Sequence, residues 1–271
     1  MNTIRANWYE YPEYYDIAFG WDPGVEVEFL EQSFQRFAVE PVRRVYEPFC
    51  GTGRIAIALA QRGYEVTGAD ILPTVIEYAR KRADEQGAAV EWCAADVCGF
   101  CPSQPVDAVV SLIDSFRHLA PKAAHAAVER FSAALRPGGL LILGVDVGEK
   151  PVEMSEEEHW AMQRDGVSIE TAVFDLRKPG QTPGTSVVRA QMHITEPDGR
   201  ELEIICDDEM TLYTLPELLA LLQSAGGFEP LMICDRRYDL QRPINPAGYA
   251  GDIVAVFLRQ AAGATRTSRD A

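Results

Sequence analysis

The stretch that decides the fold is Glu47-Pro48-Phe49-Cys50-Gly51-Thr52-Gly53-Arg54. Arg43 to Glu47 reads as a short strand leading into it. Ile55 to Arg62 reads as a helix, closed by Gly63. Glycines between a strand and a helix let the backbone turn tightly and let a ligand approach the main chain. In doubly wound α/β folds the crevice at the C-terminal ends of the strands binds nucleotides. Asp70 ends the next strand, Tyr64 to Asp70, about 20 residues on, where a carboxylate can accept both hydroxyls of a ribose.

Strand and helix signals alternate outward from this turn. Thr74 to Gln86 and Lys122 to Leu135 read as helices, the second stopped by Pro137-Gly138-Gly139. Ala89 to Ala94, Val106 to Ile113 and Leu140 to Val147 read as strands. The last two are apolar enough to be buried on both faces of a parallel sheet. Phe228 to Asp235 and Asp252 to Arg259 complete the sheet. The order predicts an α/β, doubly wound, Rossmann-like and mostly parallel seven-stranded sheet. Glu153 to Arg164 predicts an acidic, exposed helix. Val167 to Leu176, Thr185 to Thr195 and Glu201 to Tyr213 predict strands, with a hairpin turn at Pro197-Asp198-Gly199. Strands without intervening helices predict a small antiparallel β insertion. Thr214-Leu215-Pro216-Glu217 is a capping box, whose helix runs to Ala225 with Gly226 as its C-cap. Residues 1–40, aromatic and then helical, predict an N-terminal helical lid. Residues 41–150 and 214–260 form the cofactor domain, 151–213 a substrate-covering layer, and 261–271 a flexible tail.

The chain has 271 residues, 47 % hydrophobic and 24 % charged, the balance of a soluble globular protein. No stretch approaches the roughly 20 apolar residues of a membrane span, and the N-terminus has no apolar signal region. A cytoplasmic protein with no membrane partner is expected. The net charge of −16 repels phosphates and argues against a nucleic-acid partner. The six cysteines are expected as thiols. Cys98-Gly99-Phe100-Cys101 has redox or zinc spacing, but Pro102 follows it in a loop and zinc needs about four ligands. Incidental loop thiols and no metal are expected.

Gly51-x-Gly53-x-x-Ala56 also fits a dinucleotide fingerprint, so the glycines alone leave both readings open. Glu47 before the turn and Asp96 after the third strand separate them. A pyrophosphate disfavours carboxylates, whereas the sulfonium and ammonium of S-adenosylmethionine favour them. The sequence resembles the class I S-adenosylmethionine-dependent methyltransferases, in the small-molecule branch typified by glycine and amino-sugar N-methyltransferases. The resemblance runs through VYEPFCGTGRIAIALAQRGYEVTGAD from Val45, CAADV from Cys93, VDAVVSLIDSFRHL from Val106 and LRPGGLLILGV from Leu135. It implies Gly51 and Gly53 at the methionine moiety, Asp70 at the ribose, Asp96 with Val97 at the adenine, and Ile71 packed on that ring. Tyr15, Glu47, Phe49, Cys50 and Leu112 complete the implied cofactor contacts. The final pair of strands matches the family's reversed edge hairpin. Phe49 departs from the pattern, which usually has glycine there. The turn also resembles that of nucleic-acid amino-methyltransferases, but Leu112-Ile113-Asp114-Ser115-Phe116 replaces their Asn-Pro-Pro-Tyr-like motif.

Asp114-Ser115-Phe116-Arg117-His118-Leu119 resembles the Asn-Ser-Phe-x-His-Leu segment of the small-molecule enzymes and lies at the crevice mouth. Asp114 either holds an ammonium or hydroxyl of the acceptor or caps a helix. His118 either positions or deprotonates the acceptor or packs at a helix start. Tyr11, Tyr14 and Tyr15 fall where such families carry a lid, with Tyr15 the best match; the alternative is an aromatic face packed on the core. Trp8 and Trp21 are weaker candidates. Asp146 ends the fifth strand beside Asp114, and two carboxylates there favour a cationic or hydroxylated acceptor. The functional expectation is methyl transfer to a small molecule at nitrogen or oxygen, by a monomer or homodimer. An NAD(P)-dependent oxidoreductase and a non-catalytic cofactor-binding module are the alternatives.

Overall fold

Parallel strands buried on both faces organise the chain. The computed structural model describes residues 2–148, 158–176 and 184–260. Strands β2 (Arg44–Pro48), β3 (Glu65–Asp70), β4 (Val90–Ala94), β5 (Val106–Ser111) and β6 (Leu135–Val147) run parallel. They are joined by α3 (Arg54–Gln61), α4 (Pro73–Glu85) and α5 (Pro121–Ala134). After α6 (Leu215–Gly226), β11 (Phe228–Asp235) and β12 (Gly251–Arg259) close the sheet in the order β11-β12-β6-β5-β2-β3-β4, with β12 antiparallel to both neighbours. This is the expected seven-stranded sheet with its reversed edge hairpin. Leu140, Leu141 and Ile142 of β6 are fully buried, alternating between the clusters on the two faces. Each such side chain contributes about 1.5–3 kcal/mol by burial.

A second, five-stranded sheet has the order β1-β10-β9-β8-β7. It comprises β1 (Asn2–Arg5), β7 (Glu158–Arg164), β8 (Val167–Asp175), β9 (Thr185–Thr195) and β10 (Glu201–Thr211). Two expectations fail here. Residues 158–164 are a strand, not the end of an acidic helix; residues 153–157 lie outside the described ones. Trp160, Met162 and Arg164 alternate with more exposed neighbours, a period of two that the run of glutamates masks. The N-terminal 40 residues are also not purely helical. Asn2–Arg5 pairs in parallel with Leu202–Ile205, a partner too distant in sequence for a four-residue strand to betray.

Helix α1 (Pro12–Ala18) packs on this second sheet. Trp8, Ile17 and Ala18 share a core with Ile169, Met192, Ile194 and Ile204. Helix α2 (Gly24–Phe37) instead packs on the seven-stranded sheet through Val27, Leu30 and Phe34. The N-terminal segment therefore bridges the two sheets above the strand ends. The expected tail, 261–271, lies outside the described residues.

Candidate active site

The turn after β2 is built from left-handed residues. Phe49, Gly51 and Gly53 have φ of 56°, 53° and 81°. The Gly51 amide donates to Oδ2 of Asp70 and the Leu72 amide to Oδ1, both at 3.1 Å. Burial raises the Asp70 pKa, against these backbone hydrogen bonds. A Cβ at Gly51 would meet open space, so the turn forms a cradle. A Cβ at Gly53 would lie 2.5 Å from the Trp92 ring, which underlies the turn. Glu47 is buried, and burial pushes its pKa up to about 8, opposed by Arg54 and a backbone hydrogen bond and reinforced by Asp70. Its Oε2 has no partner, nor has Nη1 of the buried Arg54. An acidic cradle with unmatched polar atoms fits a cofactor carrying an ammonium and no phosphate. Ile71, beside it, is 66 % exposed. Asp96 follows β4, where its carboxylate accepts from the Cys98 amide.

Next to the turn lies a cavity of about 530 Å³. Trp8, Tyr9, Tyr15, Phe19, Trp21, Trp160 and Tyr238 supply its aromatic walls. Glu26, Asp114, Asp146, Glu158, Asp175, Asp208 and Asp252 supply carboxylates, against Arg117, Arg236 and His118. Tyr15 stands where turn and cavity meet, with Arg54 and Asp70 as its charged neighbours. A larger cavity, about 580 Å³, opens near the starts of β2, β3 and β4 and touches none of the expected site residues.

Asp114 does not cap a helix. It sits at φ 61° after Ile113 at 57°, and its side chain bonds no helix amide. Its carboxylate instead accepts from Nη1 of Arg117 and from the Asp146 amide, both at 2.8 Å. Burial pushes its pKa up to about 7, with Arg117 opposing. Arg117 also reaches Asp146 at 3.4 Å and donates to the Thr211 carbonyl at 2.9 Å. The two carboxylates at the mouth are therefore partly neutralised by one buried guanidinium. Nε2 of His118 shares a 3.0 Å hydrogen bond with the Tyr9 hydroxyl. Burial lowers the His118 pKa, against the pull of Asp208, and leaves the ring neutral near pH 7. Among the described residues no group of three or more His, Cys, Asp or Glu could hold a metal ion.

Residues 45–139 match the family described as a methyltransferase domain. Over 130 residues the chain is 29 % identical to the candidate methyltransferase YqeM of Bacillus subtilis (strain 168). That alignment takes in 46 % of this chain and 51 % of the relative, so the chain spans about half the length of that curated protein. Among solved structures it is similar to an S-adenosylmethionine-dependent methyltransferase from Clostridium acetobutylicum, with a TM-score of 0.74 at 14 % identity. That match covers 93 % of this chain and 98 % of the other. It is also similar to the sugar N-methyltransferase KedS8 from Streptoalloteichus, with a TM-score of 0.69 at 21 % identity and 93 % of each chain covered. The chain has the class I methyltransferase fold.

Within the methyltransferase fold the expected residues fall into three places. Glu47, Phe49, Cys50, Gly51, Gly53 and Asp70 form the turn and its flank, with Ile71 exposed beside them and Asp96 beyond β4. Tyr15, Asp114, His118 and Asp146 line the cavity. Val97 and Leu112, at 4 % and 7 % exposed, and Cys50 at 5 %, are core side chains. Of the lid tyrosines, Tyr14 bonds Glu196 at 2.5 Å, and Tyr9, not singled out in the sequence, takes the place beside His118. Trp8 and Trp21 both reach the cavity. Arg117 and Arg54 were also missed. Each stands within a quoted motif, and an arginine so close to the expected site was the signal. The six cysteines are free; Cys98 and Cys101 bond separate carbonyls, of Ala123 and Arg130. No helix among the described residues is long and apolar enough to cross a membrane.

Proposed function

We propose that this chain transfers a methyl group from S-adenosylmethionine to a small molecule, at nitrogen or oxygen. The observation that carries the reading is the walled cavity of about 530 Å³ beside the glycine turn. That volume suits a small ligand. Its carboxylates and aromatic walls favour an acceptor with an ammonium or hydroxyl groups. The turn cradles the cofactor's methionine end, Asp70 takes the ribose, and Asp96 and Ile71 meet the adenine.

Bound S-adenosylmethionine supplies a methyl group on a sulfonium leaving group. The chain's own work is orientation and proton transfer. Tyr15 covers the junction of turn and cavity and excludes water. An amine acceptor must lose a proton before attack, and neutral His118, held by Tyr9, can take it. Asp114, fixed by Arg117 and the Asp146 amide, presents its carboxylate to the acceptor side. The similarity to a sugar N-methyltransferase supports an amine over other small acceptors.

The test is transfer of labelled methyl from S-adenosylmethionine into a panel of amines, hydroxyacids and phenols. Transfer to an amine, lowered at least tenfold by His118→Ala with S-adenosylhomocysteine affinity unchanged, is expected. Binding of S-adenosylhomocysteine with no transfer to any panel member would favour a non-catalytic module. Binding of NAD(P) in its place would favour an oxidoreductase.

A further inference from the structure

Strained backbone gathers around the cavity as well as in the glycine turn. Among the described residues five non-glycine residues hold positive φ, and three of them, Ile113, Asp114 and Tyr238, line the cavity of about 530 Å³. That conformation is uncommon for any non-glycine residue and an outlier for a bulky one. It persists only where the surroundings over-determine it, and it clusters at sites that clamp ligands. Asp114 already has a place on the acceptor side, whereas Tyr238, at φ 55°, has none. Tyr238 lies in the connection between β11 and β12. Its amide donates to the Asp235 carbonyl at 3.2 Å, and its ring meets Phe29 of α2 edge-on, with centroids 5.5 Å apart. Backbone and ring are thus fixed by the chain, but the hydroxyl makes no hydrogen bond among the described residues. The hydroxyls of Tyr46 and Tyr213 are also unbonded, but those are sealed in the core and that of Tyr238 is not. Its charged neighbours are Glu26, Arg54, Arg236 and Asp252. These are already matched, Arg54 with Glu26 at 2.8 Å and Arg236 with Asp252 at 3.2 Å. Burial pushes the Tyr238 pKa up to about 12, with Glu26 reinforcing and Arg54 opposing. The hydroxyl is therefore neutral and can both donate and accept. Set between two matched ion pairs, it complements an uncharged hydroxyl better than a further charge.

We propose that Tyr238 binds the methyl acceptor, by a hydrogen bond between its hydroxyl and a hydroxyl group of an amino alcohol. This rests on the methyltransferase reading above, and it narrows the acceptor from any amine to one that also carries a hydroxyl. A site built to hydrogen-bond a substrate hydroxyl rejects the analogue that lacks it, because its own polar group is then left unpaired.

The test measures kcat/KM on the full chain for transfer of labelled methyl from S-adenosylmethionine to cyclohexylamine and to the positional isomers of aminocyclohexanol. These isomers place a hydroxyl at increasing distance from the same amine. The wild type should favour at least one isomer over cyclohexylamine by about tenfold or more. In Tyr238→Phe that preference should fall to about twofold or less, chiefly through a higher KM for the isomer, with S-adenosylhomocysteine affinity unchanged. Tm should hold within about 2 °C, because the hydroxyl has no partner in the chain. A wild type without the preference overturns the inference, as does a preference that survives in Tyr238→Phe. Weaker S-adenosylhomocysteine binding in the variant would give the hydroxyl to the cofactor, and a fall in Tm of several degrees would give it to the fold; either overturns the inference. If none of these amines is methylated while S-adenosylhomocysteine binds, the inference fails and the methyltransferase reading stands. If S-adenosylhomocysteine does not bind the wild type, that reading fails and this inference falls with it.

Discussion

Burial changes what Glu47 and Asp114 are at neutral pH. Both pKa values are raised above ordinary carboxylate values, to about 8 and about 7, chiefly by burial. The folded chain then holds protons that the unfolded chain has released. Their contribution to stability is fully present below pH of about 4 and is lost as the pH rises through about 7 and 8. Glu47→Gln should remove its share of that loss. The fall in Tm of the ligand-free protein between pH 6 and pH 9 should be smaller in the variant, by a few degrees. Equal falls in the two proteins would mean that Glu47 is ionised throughout. Phe49 is the other telling residue. Where the resembling family usually has glycine, it holds φ 56°, a conformation that costs a non-glycine residue about 1–2 kcal/mol. Its side chain packs partly buried against the core, which offsets that strain.

At the scale of the element, the two glycines of the turn are needed for different reasons. Gly51 faces open space at φ 53°, where only a ligand would meet a side chain. Gly53 abuts Trp92 at φ 81°, so it is needed for packing as well as conformation. Gly51→Val should therefore abolish S-adenosylhomocysteine binding while the protein stays folded. Both substitutions put a side chain at positive φ and should cost about 1–2 kcal/mol in strain, and Gly53→Val should cost about 1–2 kcal/mol more from its clash with Trp92. Thermal unfolding of the two variants separates them. Equal stability would show that Trp92 yields without cost, and normal binding by Gly51→Val would move the cofactor elsewhere.

Across the whole molecule, one buried carboxylate ties the parts together. Asp16 of α1 pairs with Arg82 of α4 at 3.0 Å and with Arg164 of β7 at 2.7 Å, and accepts from the Tyr78 hydroxyl at 3.1 Å. Arg82 also donates to the Thr52 carbonyl at 3.2 Å, within the glycine turn. The N-terminal segment, the second sheet and the glycine turn thus share one ionic knot. Removing one partner of a buried pair costs about 3–5 kcal/mol. Arg164 is 39 % exposed, so solvent screens part of that, and about 2 kcal/mol is expected for Asp16→Asn. That lowers Tm by roughly 4–8 °C. S-adenosylhomocysteine affinity should fall as well, because the turn loses its brace. An unchanged Tm would show that the knot is not what holds the parts together.

The sequence by itself determined the seven-stranded sheet, its reversed edge hairpin and the glycine turn. These follow from local patterns: apolar runs, a capping box and glycines at a strand end. The outlines of the second sheet were readable for the same reason, through alternation and the Pro197-Asp198-Gly199 turn. Only the tertiary structure decided which side chains meet. Tyr9 reaches His118 across 109 positions, and Arg117 finds the Thr211 carbonyl across 94. Strand β1 exists because β10 offers an edge about 200 residues away. Asp114 bonds Arg117 and the Asp146 amide rather than capping a helix because its left-handed backbone turns the carboxylate away from the amides a cap would need. A hydrophobic pattern encodes which face is buried, not which distant polar partner is brought to it, so the fold and part of the cavity's lining, from Tyr15 to Asp146, were legible and the pairings among those residues were not.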